Sequence, residues 1–322
     1  MKYTKDGETI PWSSGHRTPN GLAFDLDGNL FVSDNQGDWV GTSKLFHVKK
    51  GNFYGHAASF NWRKDAKEKA LDMGPEKLNS YRSRAAILFP QGLMANSPTQ
   101  PLVDNRNGKF GPFHGQMYIG EMTRSRIIRI MMEEVDGVMQ GACVPFLDDS
   151  GLPKGVNRLA FAPDNSLYVG HTKHTWAGGE GISRVVWDGK QPMDVLKMNI
   201  TEKGFKLTFT KPVNKKAALN EKNYRFSRYW YNYHKNYGSS QFDKKEVEIQ
   251  EISLSDNGLT VNIKLKELVC YNIHELTMSG IKADDDSPLE NNYLVYTVNR
   301  LLKNTPPEPI QWGKGHKKNK NK

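Results

Sequence analysis

The feature that most constrains this chain is a repeated strand pattern, clearest in residues 19–56, PNGLAFDLDGNLFVSDNQGDWVGTSKLFHVKKGNFYGH. It reads as three short strands, GLAFD, NLFVSD and KLFHVKK, with Asp27-Gly28 supplying a hairpin turn between the first two. Residues 155–189 repeat the grammar, VNRLAFAPDNSLYVGHTKHTW followed by GISRVVWDG. Residues 115–137, GQMYIGEMTRSRIIRIMMEEVDG, keep its second and third strands. Units of this kind bury their faces only against their neighbours, so the repeat predicts consecutive blades of a β-propeller.

Three blades do not close a ring. Propellers take about four to eight blades of about 40 to 50 residues each, and residues 1–190 also hold a long insertion at 57–111. The region 1–190 is therefore expected to be part of a propeller, completed by blades outside this chain or by a partner. The insertion contains a helix-like polar piece, RKDAKEKALDMGPEKL, and a loop, QGLMANSPTQPLVDNRNGKFGPF, long enough to lie over a propeller face. At Gln191-Pro192 the pattern changes, and MDVLKMNITEKGFKLTFTKPVN opens a second all-β region. Its strands, spaced by turns such as Asp256-Asn257-Gly258, predict a separate immunoglobulin-like β-sandwich over 191–303. The fold class is thus all-β, a partial propeller of three to four blades followed by a sandwich, with 304–322 a basic disordered tail.

Charge narrows the partners. The net charge is +10, but five lysines fall in the last nine residues, KGHKKNKNK, so the excess marks a solubilising tail. With no nucleic-acid-binding motif elsewhere, no nucleic-acid partner is expected. No apolar run approaches the ~18 residues that cross a bilayer, so no transmembrane segment is expected. The opening MKYTKDGETIPW lacks the apolar core of a secretory signal, and any export signal is expected upstream of this chain. Cys143 and Cys270 lie on opposite sides of the predicted boundary, which predicts no disulfide, and no CxxC or CxxCH motif is present.

Asp34, Glu121 and His171 occupy one position in the three repeats, the end of the second strand. Three polar groups in register converge toward one propeller face, where each either contributes to a ligand site or ties down its own following loop. Asp34-Asn35-Gln36-Gly37-Asp38 places oxygen donors around a tight turn, and the carbonyls of Gln36 and Gly37 could serve a calcium ion. The turn lacks the spacing and closing glutamate of an EF-hand, and a plain solvated turn is the alternative. His171 and His174 lack the further ligands of a zinc site, and Ser33, Ser43 and Ser183 lack a GxSxG context. In YRFSRYWYNYHKNYG, alternation puts Tyr229, Tyr231 and Tyr233 on one face and Trp230, Asn232 and His234 on the other. One face is core; the other is an ordinary strand surface or a sugar-stacking platform.

The segment SDNQGDWVGTSKLFHVKKGNFYGH resembles a stretch of the glucose/sorbosone dehydrogenase family, the PQQ-dependent aldose sugar dehydrogenases, that reads roughly SEHGPxGGDELNLIxxGxNYGWP. Asp34 falls on the family's Glu, Gln36-Gly37 on its calcium-carbonyl pair, and Asn52, Tyr54 and Gly55 on its NYG. The resemblance covers residues 19–187, about half the chain, and implies that 1–190 is the C-terminal half of a six-bladed propeller like that family's. In addition, GKFGPFHGQMYIGEMTRSRIIRI, GFKLTFTKPVN and YGS resemble propeller-plus-sandwich parts of large multidomain bacterial proteins that often carry c-type cytochrome modules. The resemblance implies PQQ and calcium as cofactors, with Arg158 toward the quinone and Asp34, Gln36 and Gly37 at the calcium; the repeat places Glu121, Arg124 and His171 at the same propeller mouth, where they are expected to join in binding the cofactor. It also implies a carbohydrate or other small-molecule substrate, a c-type cytochrome domain as partner, and a periplasmic or extracellular location.

The departures are specific. Where the family has GRIRDV this chain has GVNRLAF, so Arg158 matches the second arginine and Val156 replaces the first. The lysine of the family's GALK is Thr123 here, with Arg124 beside it, and the Glu of its DEL is Thr42. Each lost charge toward a tricarboxylate removes a charge-assisted hydrogen bond, about 1.5 to 3 kcal/mol. The family's catalytic His lies in the half this chain does not contain, so no catalytic residue is assigned. Two readings follow: part of a quinone-dependent carbohydrate oxidoreductase in which PQQ accepts a hydride from a sugar, or a non-catalytic module that binds carbohydrate or protein.

Overall fold

The computed structural model describes residues 1–62, 73–174 and 177–309, and over them the chain is nearly all β. A short hairpin, β1 (Lys2–Tyr3) and β2 (Thr9–Ile10), precedes the first blade. That blade is β3 (Pro19–Phe24), β4 (Leu30–Asp34), β5 (Lys44–His47) and β6 (Ile87–Leu88), antiparallel in that order. Its first three strands are those the repeat predicts. The β3–β4 turn closes where expected, with Gly28 at φ 83° in the left-handed region and the Asp25 carboxylate accepting from the amides of Asp27 and Asn29. Between β5 and β6 the chain makes a 3-10 turn over Ala57–Trp62 and a helix, α1 (Pro75–Tyr81), which begins with its proline in the first turn. Most of the predicted polar helical piece lies outside the described residues.

The second blade is β7 (Pro98–Val103), β8 (Met117–Glu121), β9 (Ile127–Val135) and β10 (Val138–Phe146). Here the sequence reading is corrected, because β7 lies inside the stretch taken as a long loop. Its prolines, Pro98 and Pro101, hid it; they are tolerated because β7 ends its sheet and one side of the strand needs no donors. The third blade has three strands, β11 (Val156–Phe161), β12 (Leu167–His174) and β13 (Ala177–Val185).

The second region supplies β14 (Val195–Thr201), β15 (Gly204–Phe209), β16 (Tyr224–Tyr231), β17 (Gln241–Val247), β18 (Ile249–Leu254), β19 (Thr260–Leu265), β20 (Ile273–Met278) and β21 (Tyr293–Thr297). One sheet runs β14-β15-β19-β18. The other does not stop at the expected boundary. It runs β17-β16-β20-β21 and continues into β10-β9-β8-β7, eight strands in one sheet, joined where Ala142 faces Tyr296. The sandwich expected to be separate therefore shares a sheet with the second blade. The outer edge of a blade is a row of unpaired N–H and C=O groups, and β21 satisfies the row that β10 presents.

This central sheet is buried on both faces. One packs Ala142, Val144, Leu276, Leu294 and Tyr296 against Met198, Phe205, Leu207 and Ile263 of the second region. The other packs Met117, Ile119, Ile130, Cys143 and Val295 against Phe31, Leu45, Ile87 and Phe89 of the first blade. Tyr118 and Ile127 meet Val156, Leu159 and Val169 of the third blade. Each such Val, Leu, Ile, Phe or Met side chain contributes about 1.5 to 3 kcal/mol. The ring stays open: Leu22 (59% exposed) and Phe24 lie bare on the first blade, and Tyr168 and Ile182 (75%) on the third. Both cysteines are free and buried. No helix among the described residues is long and apolar enough to cross a membrane. The tail is docked at its start, where the Tyr271 hydroxyl donates to the Pro306 carbonyl at 2.8 Å, while 310–322 lie outside the described residues.

Candidate functional site

The repeat is kept down to a defect in the ladder. Asp34 pairs with Pro19, Glu121 with Pro98 and His171 with Val156, and in every blade the register shifts immediately afterwards. The three inner strands β3, β7 and β11 therefore begin with the same kink and close on one another. Ser33 Oγ donates to the Thr99 carbonyl at 2.5 Å, and Thr99 Oγ1 donates to the Val156 carbonyl at 3.0 Å. Gly21 and Gly120 are required here. A Cβ on Gly21 would sit 2.4 Å from Gln100 Cα, and one on Gly120 2.7 Å from the Val156 carbonyl.

The three register residues hold the same place at the end of their strands, and their polar atoms turn into the loops. Asp34 is buried and accepts from the backbone N–H groups of Arg17 (2.9 Å), Thr18 (2.6 Å) and Asn35 (3.0 Å). Glu121 is buried and accepts from the N–H groups of Asn96 (3.0 Å), Ser97 (2.8 Å) and Thr123 (2.8 Å), and from that of Arg124. His171 bridges the Lys154 carbonyl (3.2 Å) and Ser183 Oγ (2.8 Å). His174, by contrast, has its side chain outside the described residues.

Arg17, which no sequence pattern marks, fills the expected calcium position. Its Nη1 donates to the Gln36 carbonyl at 2.9 Å, its guanidinium stacks on Tyr237 at 5.1 Å, and a Cβ on Gly37 would fall 1.8 Å from Arg17 Nε. The Gly37 carbonyl accepts from Gly238 N–H at 3.1 Å. Arg124 donates to the Gly92 carbonyl, and Arg158 to the carbonyls of Asn20 (3.2 Å) and Asn157 (2.9 Å). No group of three or more metal-ligating side chains occurs among the described residues. In this arrangement the residues expected at calcium and quinone are engaged with protein groups. Nearby, burial holds the imidazoles of His16 and His56 below their ordinary range against the opposing pull of Asp34.

The aromatic strand is no open platform either. Trp230 stacks on Phe242 at 5.0 Å, Asn232 is buried, and His234 contacts the Gly238 carbonyl at 2.9 Å. On the other face Tyr229 is core, as expected.

A cleft of about 520 Å³ does open between the second- and third-blade loops and the second region. Its walls include the rings of Phe110, Phe113 and Trp187, and polar groups come from Asp148, Asp188 and Glu290. Trp187 is fixed by its Nε1 donating to the Lys190 carbonyl at 3.0 Å, and Phe113 by the Arg129 guanidinium 3.8 Å from its ring centre. A second groove, about 690 Å³, is lined by Met132, Met139, Glu134 and His114 among others, with no Phe, Tyr or Trp. The first cleft escaped the sequence reading because Phe110 and Phe113 fell in a supposed loop and their partners lie far along the chain.

Fold and site together define an all-β protein of open propeller blades fused through one sheet to a sandwich. No protein-family profile matches the chain, and no curated protein matches it. Among solved structures, the PQQ-bound aldose sugar dehydrogenase of Streptomyces coelicolor is similar at 22% identity, over 56% of this chain and 49% of that one, with a TM-score of 0.33. An oxidoreductase of Thermus thermophilus described as a glucose dehydrogenase is similar at 21% identity, over 50% of this chain and 40% of that one, TM-score 0.32. The N-terminal part of the bacterial S-layer protein SbsC is similar at 22% identity, over 34% and 24% of the two chains, TM-score 0.27. The chain spans less than half of each of these proteins. Likeness at this level concerns the fold and carries no argument about activity.

Proposed function

We propose that this chain is a non-catalytic carbohydrate-binding module of propeller and sandwich, with the sugar held in the cleft between Trp187, Phe110 and Glu290. The observation that carries this reading is the cleft itself, which pairs aromatic walls with acidic groups in a volume suited to a small ligand. A sugar ring presents an apolar C–H face that stacks on indole or phenyl, while its hydroxyls donate to carboxylates such as Asp188 and Glu290. The quinone-dependent reading rests on the sequence resemblance and would need the missing blades. It would carry with it the cytochrome partner and the periplasmic or extracellular location. Against it stands the Arg17 guanidinium on the Gln36 carbonyl.

The test is a calorimetric titration of the full chain with glucose and with gluco-oligosaccharides. Saturable binding is expected, weakened about tenfold in Trp187→Ala, the equivalent of about 1.4 kcal/mol. The same chain is titrated with PQQ and calcium, with Arg158→Ala as control. Micromolar uptake of PQQ that depends on Arg158, with no sugar binding at Trp187, would overturn the module reading in favour of the oxidoreductase.

A further inference from the structure

His171 and Ser183 stand side by side on the third blade, on the paired strands β12 and β13. Both side chains are half-buried, and Ser183 lies opposite the fully buried Val169 in the ladder. His171 Nδ1 is 3.2 Å from the Lys154 carbonyl oxygen, and His171 Nε2 is 2.8 Å from Ser183 Oγ. These two contacts fix the tautomer of the neutral ring. A carbonyl oxygen can only accept, so Nδ1 carries the proton; Nε2 is left as the acceptor, and the Ser183 hydroxyl donates to it. A hydroxyl held by an imidazole whose far nitrogen is pinned by a third group is the arrangement of an activated nucleophile. Here the third group is a backbone carbonyl.

That carbonyl is itself held in place. Gly155 N–H donates to the Met122 carbonyl at 2.9 Å, and Thr172 N–H donates to the Gly155 carbonyl at 2.9 Å, so the loop carrying Lys154 is clamped between the second blade and β12. A Cβ on Gly179 would fall 2.7 Å from the Lys154 oxygen, and only glycine lets β13 come so close. At the same place the ladder slips. His171 faces Gly181 and Lys173 faces Gly178, so Thr172 alone opposes residues 179 and 180. A bulge takes one residue's backbone out of the ladder and re-aims the groups beside it.

Other serines are placed differently. Ser33 Oγ donates to the Thr99 carbonyl and Ser43 Oγ to the Asn96 carbonyl, where no base can take the proton. Ser13 Oγ lies 3.0 Å from His16 Nε2, but His16 Nδ1 has no partner, so no third group sets that ring's tautomer.

We propose that Ser183 is a covalent acceptor for activated acyl groups, with His171 as its general base and the Lys154 carbonyl orienting the base. The donor is an acyl compound with a good leaving group, a thioester or an aryl ester. Ser183 Oγ bonds to the acyl carbon while its proton passes to His171 Nε2. The bond from that carbon to sulfur or oxygen breaks, its electron pair departs with the leaving group, and the proton returns from His171 to the leaving group or to water. The product is an ester on Ser183, formed once per chain, which makes this a modification site with no turnover. It is independent of sugar binding at Trp187, so either assignment can fail alone.

The experiment treats the full chain with p-nitrophenyl acetate and locates the acetyl groups by peptide mapping. Acetylation of Ser183 is expected to outpace that of Ser13 and of the other serines. His171→Gln keeps a side chain able to hydrogen-bond and removes the base. Labelling of Ser183 is then expected to slow about a hundredfold or more, with the thermal midpoint of the variant measured alongside to show that it is folded. Ser183→Cys supplies a second readout in a chain that keeps His171. The introduced thiol is expected to react with iodoacetamide faster than N-acetylcysteine does at the same pH, because the neighbouring imidazole draws off its proton. Three results each overturn the proposal: acetylation of Ser183 no faster than that of Ser13, an unchanged rate in folded His171→Gln, or an introduced thiol no more reactive than N-acetylcysteine.

Discussion

Arg129 tests whether blade and sandwich fold as one body. It rises from β9 into a fully buried position, 0% exposed, and pairs at 2.8 Å with Asp194, 1% exposed, just before β14. Its Nη1 donates to Gln116 Oε1 at 2.7 Å, its Nη2 also donates to the Val195 carbonyl at 2.9 Å, and its plane lies over Phe113. Asp194 is further held by Asn291 Nδ2 at 2.8 Å and by Val195 N–H at 2.8 Å. Arg129→Met deletes the cation and strands the carboxylate. Breaking one partner of a buried pair costs about 3 to 5 kcal/mol, and the orphaned Gln116 oxygen adds about 1. Against a total stability of about 5 to 15 kcal/mol, the variant should be barely folded. Adding Asp194→Asn should recover part of the loss, since no charge is then left buried. The assay is urea unfolding followed by tryptophan fluorescence and by far-ultraviolet circular dichroism. A single coincident transition is expected for the parent, moved to lower urea in Arg129→Met. Two separate transitions in the parent would refute the reasoning, as would a loss below about 1 kcal/mol in the variant.

His274 gives a pH-dependent prediction. It is fully buried on β20, and burial, aided by the charge of Arg228, brings its imidazole down to about 3 from 6.5. The unfolded chain takes up a proton below about 6.5 that the folded chain refuses, so this stability is present above 6.5 and is lost as pH falls toward 3, by up to about 1.4 kcal/mol per unit. His274→Gln should flatten the pH dependence of the unfolding free energy by that amount between pH 6.5 and 4.5, and parallel curves for the two proteins would contradict it. At the blade contacts, Gly120→Val places a Cβ 2.7 Å from the Val156 carbonyl. It should cost about 1 to 3 kcal/mol or more, and an unchanged thermal midpoint would show that the inner strands are not pressed together there.

Much of the first and third blades was legible in the sequence because strand and turn signals are local. Alternation in GLAFD and LYVGH, Asp27-Gly28, and the recurrence of the pattern fixed β3, β4, β5, β11 and β12. The register position of Asp34, Glu121 and His171 followed from the same repeat, since equal spacing puts equal residues at equal depth. Their role did not follow, because a carboxylate at a strand end reads alike whether it faces a ligand or its own loop. Only the tertiary structure showed the backbone amides in place. Strand β7 was hidden because its prolines oppose strand propensity, and only its edge position makes them harmless. Arg17 on Gln36, Glu308 on Arg84 and β21 on β10 join residues far apart in the chain. Pairings of this kind are chosen by which edges and charges the finished fold leaves unsatisfied, and no local pattern in the sequence records that choice.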